Sequence, residues 1–295
     1  MPTRRTFCSL VTTGLIASTQ SGSAEETHPA RHTAREIIDM IKQHVGVPWR
    51  EQTVDVIKAG DPETPIMGIA TTMMGTYDVL QRAAADGKNF VISHEPVFYT
   101  HLDSTDALRK ENDAVWAQKE QFIRDHKMVI WRFHDHWHMR RPDGILQGMT
   151  AALGWEKYQH ADRPALFTLP STSLEQLAAS IRDRLKIRTL RVVGQKDLQV
   201  TKVAFLPGAG GWQSHRPMLQ RDDVEVLVIG EVPEWETILY VSDAVAEGRK
   251  KALILMGHIP SEQAGMENCA AWLKTFIQDT PISFIAAAEP FWMPR

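Results

Sequence analysis

Four short runs of the chain carry an apolar segment into side chains able to bind a metal or move a proton. Phe90-Val91-Ile92-Ser93 leads into His94-Glu95-Pro96, and Val129-Ile130-Trp131-Arg132-Phe133 leads into His134-Asp135-His136-Trp137-His138. Val226-Leu227-Val228-Ile229-Gly230 leads into Glu231, and Leu253-Ile254-Leu255-Met256-Gly257 leads into His258, with Glu262 four residues on. The spacing of His258 and Glu262, shared by His134 and His138, projects both members from one face of a helix start. A strand presenting His134, His136 and His138 in alternation is the other geometry, but the strand pattern already ends at Phe133. Imidazole and carboxylate without nearby Cys suit Zn, Mn, Fe or a similar divalent ion rather than a structural thiolate site. One histidine at a strand end is ordinarily hydrogen-bonded or solvated. Four such ends on one sheet edge point to a shared centre, against the blander alternative of a solvated histidine-rich tract.

A shared centre requires a sheet that delivers all four ends to one side. Buried strands are predicted at Asn89–Ser93, Met128–Phe133, Leu190–Val193, Val203–Leu206, Val224–Ile229, Ala252–Met256 and Ile282–Ala286. Between them lie helical spacings, among them Ile37/Ile38/Ile41/Val45, Tyr77/Leu80/Ala84, Val115/Phe122/Ile123 and Leu174/Leu177/Ile181/Leu185. This alternation predicts an α/β fold of two linked halves, with largely parallel sheets flanked by helices. Ligands of such sheets collect outside the carboxyl ends of the strands. The halves are drawn at 34–160 and 161–295, with residues 251–295 expected to pack back on the first half and complete the site. The boundary falls in Gln159–Ser173, which holds two prolines and little periodicity.

Composition narrows the class. The 295 residues carry a formal net charge of −3, with 43% hydrophobic and 23% charged residues. This excludes collagen-like, disordered and multi-span membrane chains, and a nucleic-acid partner finds no cationic excess. Residues 1–24 read as an export signal: Arg4-Arg5 before the short apolar run Cys8 to Ala17, then small residues to Ala24. The arginine pair before a large apolar residue resembles a twin-arginine signal, with an ordinary Sec signal as the alternative, so the protein is expected to be exported, periplasmic or secreted, with no membrane segment after removal. Loss of Arg4 and Arg5 moves the charge from −3 to −5 and leaves Cys269 as the lone cysteine, expected as a small buried hydrophobe.

From Val54 to Phe98, with Gly68-Ile69-Ala70 before a helix and then Phe90-Val91-Ile92-Ser93-His94-Glu95-Pro96-Val97-Phe98, the chain resembles the NIF-three-like family of dinuclear-metal α/β proteins. Trp131 to His138, Val228-Ile229-Gly230-Glu231 and Gly257-His258-Ile259-Pro260-Ser261-Glu262 are similar to its later motifs, in family order. The resemblance spans about residues 34–275. It implies six metal ligands, His94, Glu95, His134, His138, His258 and Glu262, holding two divalent ions (Zn, Mn or Fe). Two types are exchanged: Glu95 stands where the family has a second histidine, and His138 where it has an aspartate.

The implied function is a metal-dependent hydrolase that uses a metal-bound water on a small-molecule substrate. Cyclohydrolase-like activity enters only through the resemblance, as does a homo-oligomeric, dimer-built assembly. A non-enzymatic metal-binding interaction protein is the alternative. A serine or cysteine hydrolase finds neither a G-x-S-x-G elbow nor an exposed thiol. Glu231 is the candidate catalytic base, with an orienting contact or a helix cap as its other roles. His136 or His101 is a candidate substrate contact, and Pro207-Gly208-Ala209-Gly210-Gly211 either cradles an anion or makes a tight turn.

Overall fold

Side chains at the carboxyl ends of four central strands are brought together because those strands belong to two parallel-centred sheets. The computed structural model describes residues 32–294. The export signal at 1–24, with Arg4, Arg5 and Cys8, lies outside these residues. In chain order the helices are α1 (Ala34–His44), α2 (Tyr77–Ala85), α3 (Asp106–Lys110), α4 (Ala114–Asp125), α5 (Asp135–Met139), α6 (Gly144–Leu153), α7 (Leu174–Leu185), α8 (Gly211–Leu219), α9 (Leu239–Ala246) and α10 (His258–Leu273). The strands are β1 (Ile57–Ala59), β2 (Ile69–Met74), β3 (Phe90–Glu95), β4 (Val129–Arg132), β5 (Leu166–Ser173), β6 (Arg191–Val193), β7 (Gln199–Leu206), β8 (Val226–Ile229), β9 (Ala252–Leu255) and β10 (Ile282–Phe284).

The first sheet has the order β1-β4-β3-β2-β10 and the second β5-β7-β8-β9-β6. In the first, β4, β3, β2 and β10 run parallel and β1 lies antiparallel at the edge. In the second, β7, β8 and β9 are parallel between antiparallel β5 and β6. Every residue of β3, β4, β8 and β9 is buried, as expected for parallel strands covered on both faces by crossover helices. Thr33 and Ser173 start α1 and α7 with reciprocal capping boxes to Glu36 and Gln176.

Three local expectations are corrected. The stretch Gln159–Ser173 contains β5, whose edge position tolerates Pro170 because the ladder register breaks between Thr168 and Thr172. Helix α4 buries Trp116, Lys119 and Ile123, while Val115 is exposed. Strand β6, expected to be buried, is a largely exposed sheet edge, and helices α3, α6 and α8 and strands β1 and β2 join the predicted set. After β9 the chain crosses back: α10 packs on α6 and β2, and β10 pairs with β2. Residues of both halves share one hydrophobic core, including Leu153, Trp155, Phe167 and Phe205. Cys269 is buried in it on α10. Among the described residues no helix is long and apolar enough to cross a membrane.

Candidate metal centre

β3 ends in His94 and Glu95, β4 delivers His134 and, one turn into α5, His138, and β9 runs into the first turn of α10 with His258 and Glu262. All six come together. The imidazoles of His94, His134 and His138 form a triangle with ring centroids 4.6 to 4.9 Å apart. The carboxylates alternate with the rings. Glu95 Oε1 lies 3.5 Å from both His134 Nε2 and His258 Nε2. Glu262 reaches His258 Nε2 at 3.2 Å, His94 Nε2 at 3.7 Å and His138 Nε2 at 3.9 Å. Two groups within this cluster could each hold a metal ion: His94 with His134 and His138, and His94 with Glu95 and Glu262.

Each histidine is held from behind. His94 Nδ1 meets Phe133 O at 3.1 Å, His134 Nδ1 meets Asp135 Oδ1 at 2.9 Å, and His138 Nδ1 meets Asp143 Oδ2 at 2.9 Å. His258 Nδ1 meets Glu231 Oε1 at 3.1 Å. With Nδ1 donating outward, Nε2 of each ring is turned toward the centre, the arrangement that fixes ring orientation in metal-ligating histidines. The inner atoms His94 Nε2, His258 Nε2 and Glu262 Oε2 are buried without a hydrogen-bond partner. Orphaned buried polar atoms are costly unless something coordinates them. A mixed nitrogen and oxygen donor set fits a divalent transition ion.

Charge is arranged to match. Burial pushes the His94 imidazolium well below its ordinary pKa, with His134 and His138 adding repulsion, so its ring is neutral. Burial opposes charge on His258 too, but Glu231, Glu262 and Glu95 outweigh it and push its pKa up to about 12, so without a metal this ring is an imidazolium whose Nε2 proton must leave before an ion can bind. Glu95 is held below the usual carboxylate range, against burial, by His258, His134 and Arg132.

Several positioning residues carried no local signal. The fully buried Asp55 accepts from the backbone N–H of His134, Asp135 and His136 and contacts His136 Nδ1 at 2.6 Å. It therefore caps the turn that turns His134 and His138 inward. His136 faces the other way, stacked on Trp49 at 3.6 Å and accepting from Arg50 N, so it is not a substrate contact. The buried Arg132 donates to Glu95 Oε2 at 3.1 Å, to His94 O and to His101 O. This guanidinium balances the carboxylate standing where the resembled family has a histidine. Gly208, at φ 75°, leaves the place of its Cβ to Glu262: a carbon there would lie 2.4 Å from Oε1. The glycine-rich stretch thus begins as a close approach to a site carboxylate.

Fold and site together define a two-sheet α/β protein with a histidine-carboxylate cluster, able to hold metal, where strand ends from both sheets meet. The chain belongs to the Duf34/NIF3 (NGG1p interacting factor 3) family, whose sequence model matches residues 32–290. It is 21% identical over 240 residues to a Clostridium acetobutylicum protein named GTP cyclohydrolase 1 type 2 homolog, covering 77% of this chain and 84% of that one. A Bacillus cereus protein related to NIF3 superposes with a TM-score of 0.71 at 13% identity, covering 90% of this chain and 100% of that one. HcgD from Methanocaldococcus jannaschii superposes at 0.62 with 16% identity, covering 86% and 97%. At these identities the structural likeness speaks for the fold.

Proposed function

We propose that the protein is an exported metal-dependent hydrolase whose six clustered side chains hold two divalent ions. The observation that carries this reading is the set of inward Nε2 atoms, each backed by a partner at Nδ1, two of which, with Glu262 Oε2, are buried without a hydrogen-bond partner. When bound, paired divalent ions supply Lewis acidity and bring the pKa of coordinated water toward about 7. The chain's own residues keep the lone pairs aimed. Asp135, Asp143 and Glu231 accept from the outer imidazole nitrogens, and Arg132 fixes Glu95 so that Oε1 faces the centre.

In this reading Glu231 orients His258. Glu231→Gln is expected to lower metal affinity about 10- to 100-fold in a chelator-competition titration. A rate loss with unchanged metal affinity would instead make Glu231 the proton acceptor.

Hydrolysis is tested by screening metal-loaded, full-length protein against phosphoesters, nucleotides and cyclic amides. Turnover abolished by chelation and restored by the metal is expected. Metal-loaded protein inert across the screen would favour the non-enzymatic metal-binding alternative. The name of the Clostridium relative makes cyclic amides of the cyclohydrolase kind a natural substrate group, although GTP itself is scarce outside the cytoplasm.

Export belongs to the same proposal: a twin-arginine substrate folds and takes up its metal before crossing the membrane. Replacing Arg4 and Arg5 by Lys is expected to leave the precursor in the cytoplasm on fractionation, and normal export of that variant would sink the idea. A homo-oligomer is proposed as well, to be read by sedimentation.

A further inference from the structure

A cavity of about 450 Å³ opens beside the metal centre, lined by Glu95 and His258 of the cluster and by Lys119, Tyr99 and His101. Cavities of about 540 and 800 Å³ lie elsewhere and include none of the six clustered side chains. Size therefore does not single this one out; its chemistry does.

Lys119, on α4, is 3% exposed, and its ammonium donates to Val97 O at 2.7 Å. Among the described residues no carboxylate lies within ion-pair distance of it. Other shielded cations of the protein are paired: Lys58 with Asp103 at 3.5 Å, Lys88 with Asp86 at 2.6 Å and Arg132 with Glu95 at 3.1 Å. Its other neighbours are the faces of Phe98 and Tyr99, 5.7 and 5.4 Å away, so this buried ammonium has only neutral partners, and an anion in the cavity would offset the cost of its burial.

The loop that Lys119 contacts is held in place. Asp103 Oδ1 accepts from Val97 N at 2.6 Å and Phe98 N at 2.8 Å, pinning the loop after β3. Tyr99 follows in the left-handed region at φ 69°, an uncommon conformation for a bulky residue. It is 58% exposed and holds its ring centroid 5.4 Å from Lys119 Nζ. Strained residues of this kind recur at ligand clamps.

We propose that this cavity is the substrate subsite, that Lys119 binds an oxyanion there, and that the substrate class is a small aromatic molecule bearing a carboxylate or phosphate. The aromatic part lies against Tyr99 and Pro96, and the reacting bond is presented toward Glu95 and His258. Burial lowers the Lys119 pKa to about 8, with Asp103 pulling the other way, so the group remains mostly cationic at neutral pH.

The inference rests on the metal-centre reading, and the test separates the two. Metal-loaded, full-length wild type, Lys119→Met and Lys119→Gln are titrated calorimetrically with phenyl phosphate, benzoate and, as the neutral control, phenol. At least one anion should bind wild type and bind both variants about tenfold more weakly or worse, with phenol within twofold and metal content unchanged. The anion that responds tells phosphate from carboxylate recognition. Failure of both anions to bind metal-loaded wild type, or unchanged anion affinity in a variant that keeps its metal, overturns the proposal.

Wild type gives a second readout should both variants fail to fold. Reductive methylation with formaldehyde and borohydride, read by peptide mass, should mark Lys119 less when the bound anion is present. Equal marking with and without the anion, or none in either case, also overturns it. Wild type without metal would remove the underlying metal reading instead.

Discussion

Alanine at His94 is expected to strip the purified protein of most of its metal. Wild type should carry about two equivalents, as two-metal sites do, and His94→Ala less than about half of that on elemental analysis. The reason is geometric: His94 is common to both groups that could hold an ion, its one inward nitrogen ligates in either, and loss of this fully buried ring opens a gap against His134, His138 and Glu262. His258→Ala should lose metal too, because its Nε2 lies between Glu95 and Glu262. Chelation gives an independent readout. Metal at 100 times its dissociation constant stabilises the folded state by about 2.7 kcal/mol. Chelator should therefore lower the melting temperature of wild type and leave that of His94→Ala nearly unchanged. Wild type purified without metal would end the hypothesis.

The second large effect is on stability. Asp55→Ala is expected to cost about 3–5 kcal/mol, the usual result of removing one member of a buried charged and hydrogen-bonded set. Three backbone N–H groups and the His136 ring lose their acceptor at once, in a place with no exposure to water. For a domain of this size that corresponds to a fall of roughly 10 °C in melting temperature. The same substitution should weaken metal binding, because Asp55 sets the turn that aims His134 and His138. Asp55→Asn keeps the shape and one acceptor and should fall between. A melting temperature for Asp55→Ala within a degree or two of wild type would refute the capping role.

Much of this centre was legible from short stretches. Period and apolar runs located β3, β4, β8 and β9, and with them the ends that carry the ligands. The four-residue spacing of His134 and His138 already implied a shared helical face, and α5 begins there. His136, two residues along, falls about 200° around a helix from His134 and faces Trp49 instead. What was not legible has a common cause. Asp55 acts on a turn about 80 residues later, and nothing in the residues around it differs from an ordinary acidic loop. Arg132 reads as one polar interruption in a strand, yet fully buried it balances Glu95. Strand β5 was hidden by Pro170, tolerated only because the ladder shifts register on a sheet edge.

By itself the sequence determined the α/β alternation and which side chains stand at strand ends, because both follow from local periodicity and steric preference. The expected return of residues 251–295 to the first half takes its form only in the tertiary structure, where β10 pairs with β2 and α10 packs on β2 and α6, so that His258 and Glu262 meet His94 and Glu95. It also decided which nitrogen of each imidazole faces inward, since that depends on hydrogen-bond partners such as Glu231 and Phe133, distant in the chain from the rings they hold. Such partners are chosen by the packing of two sheets against each other, and no local pattern records them.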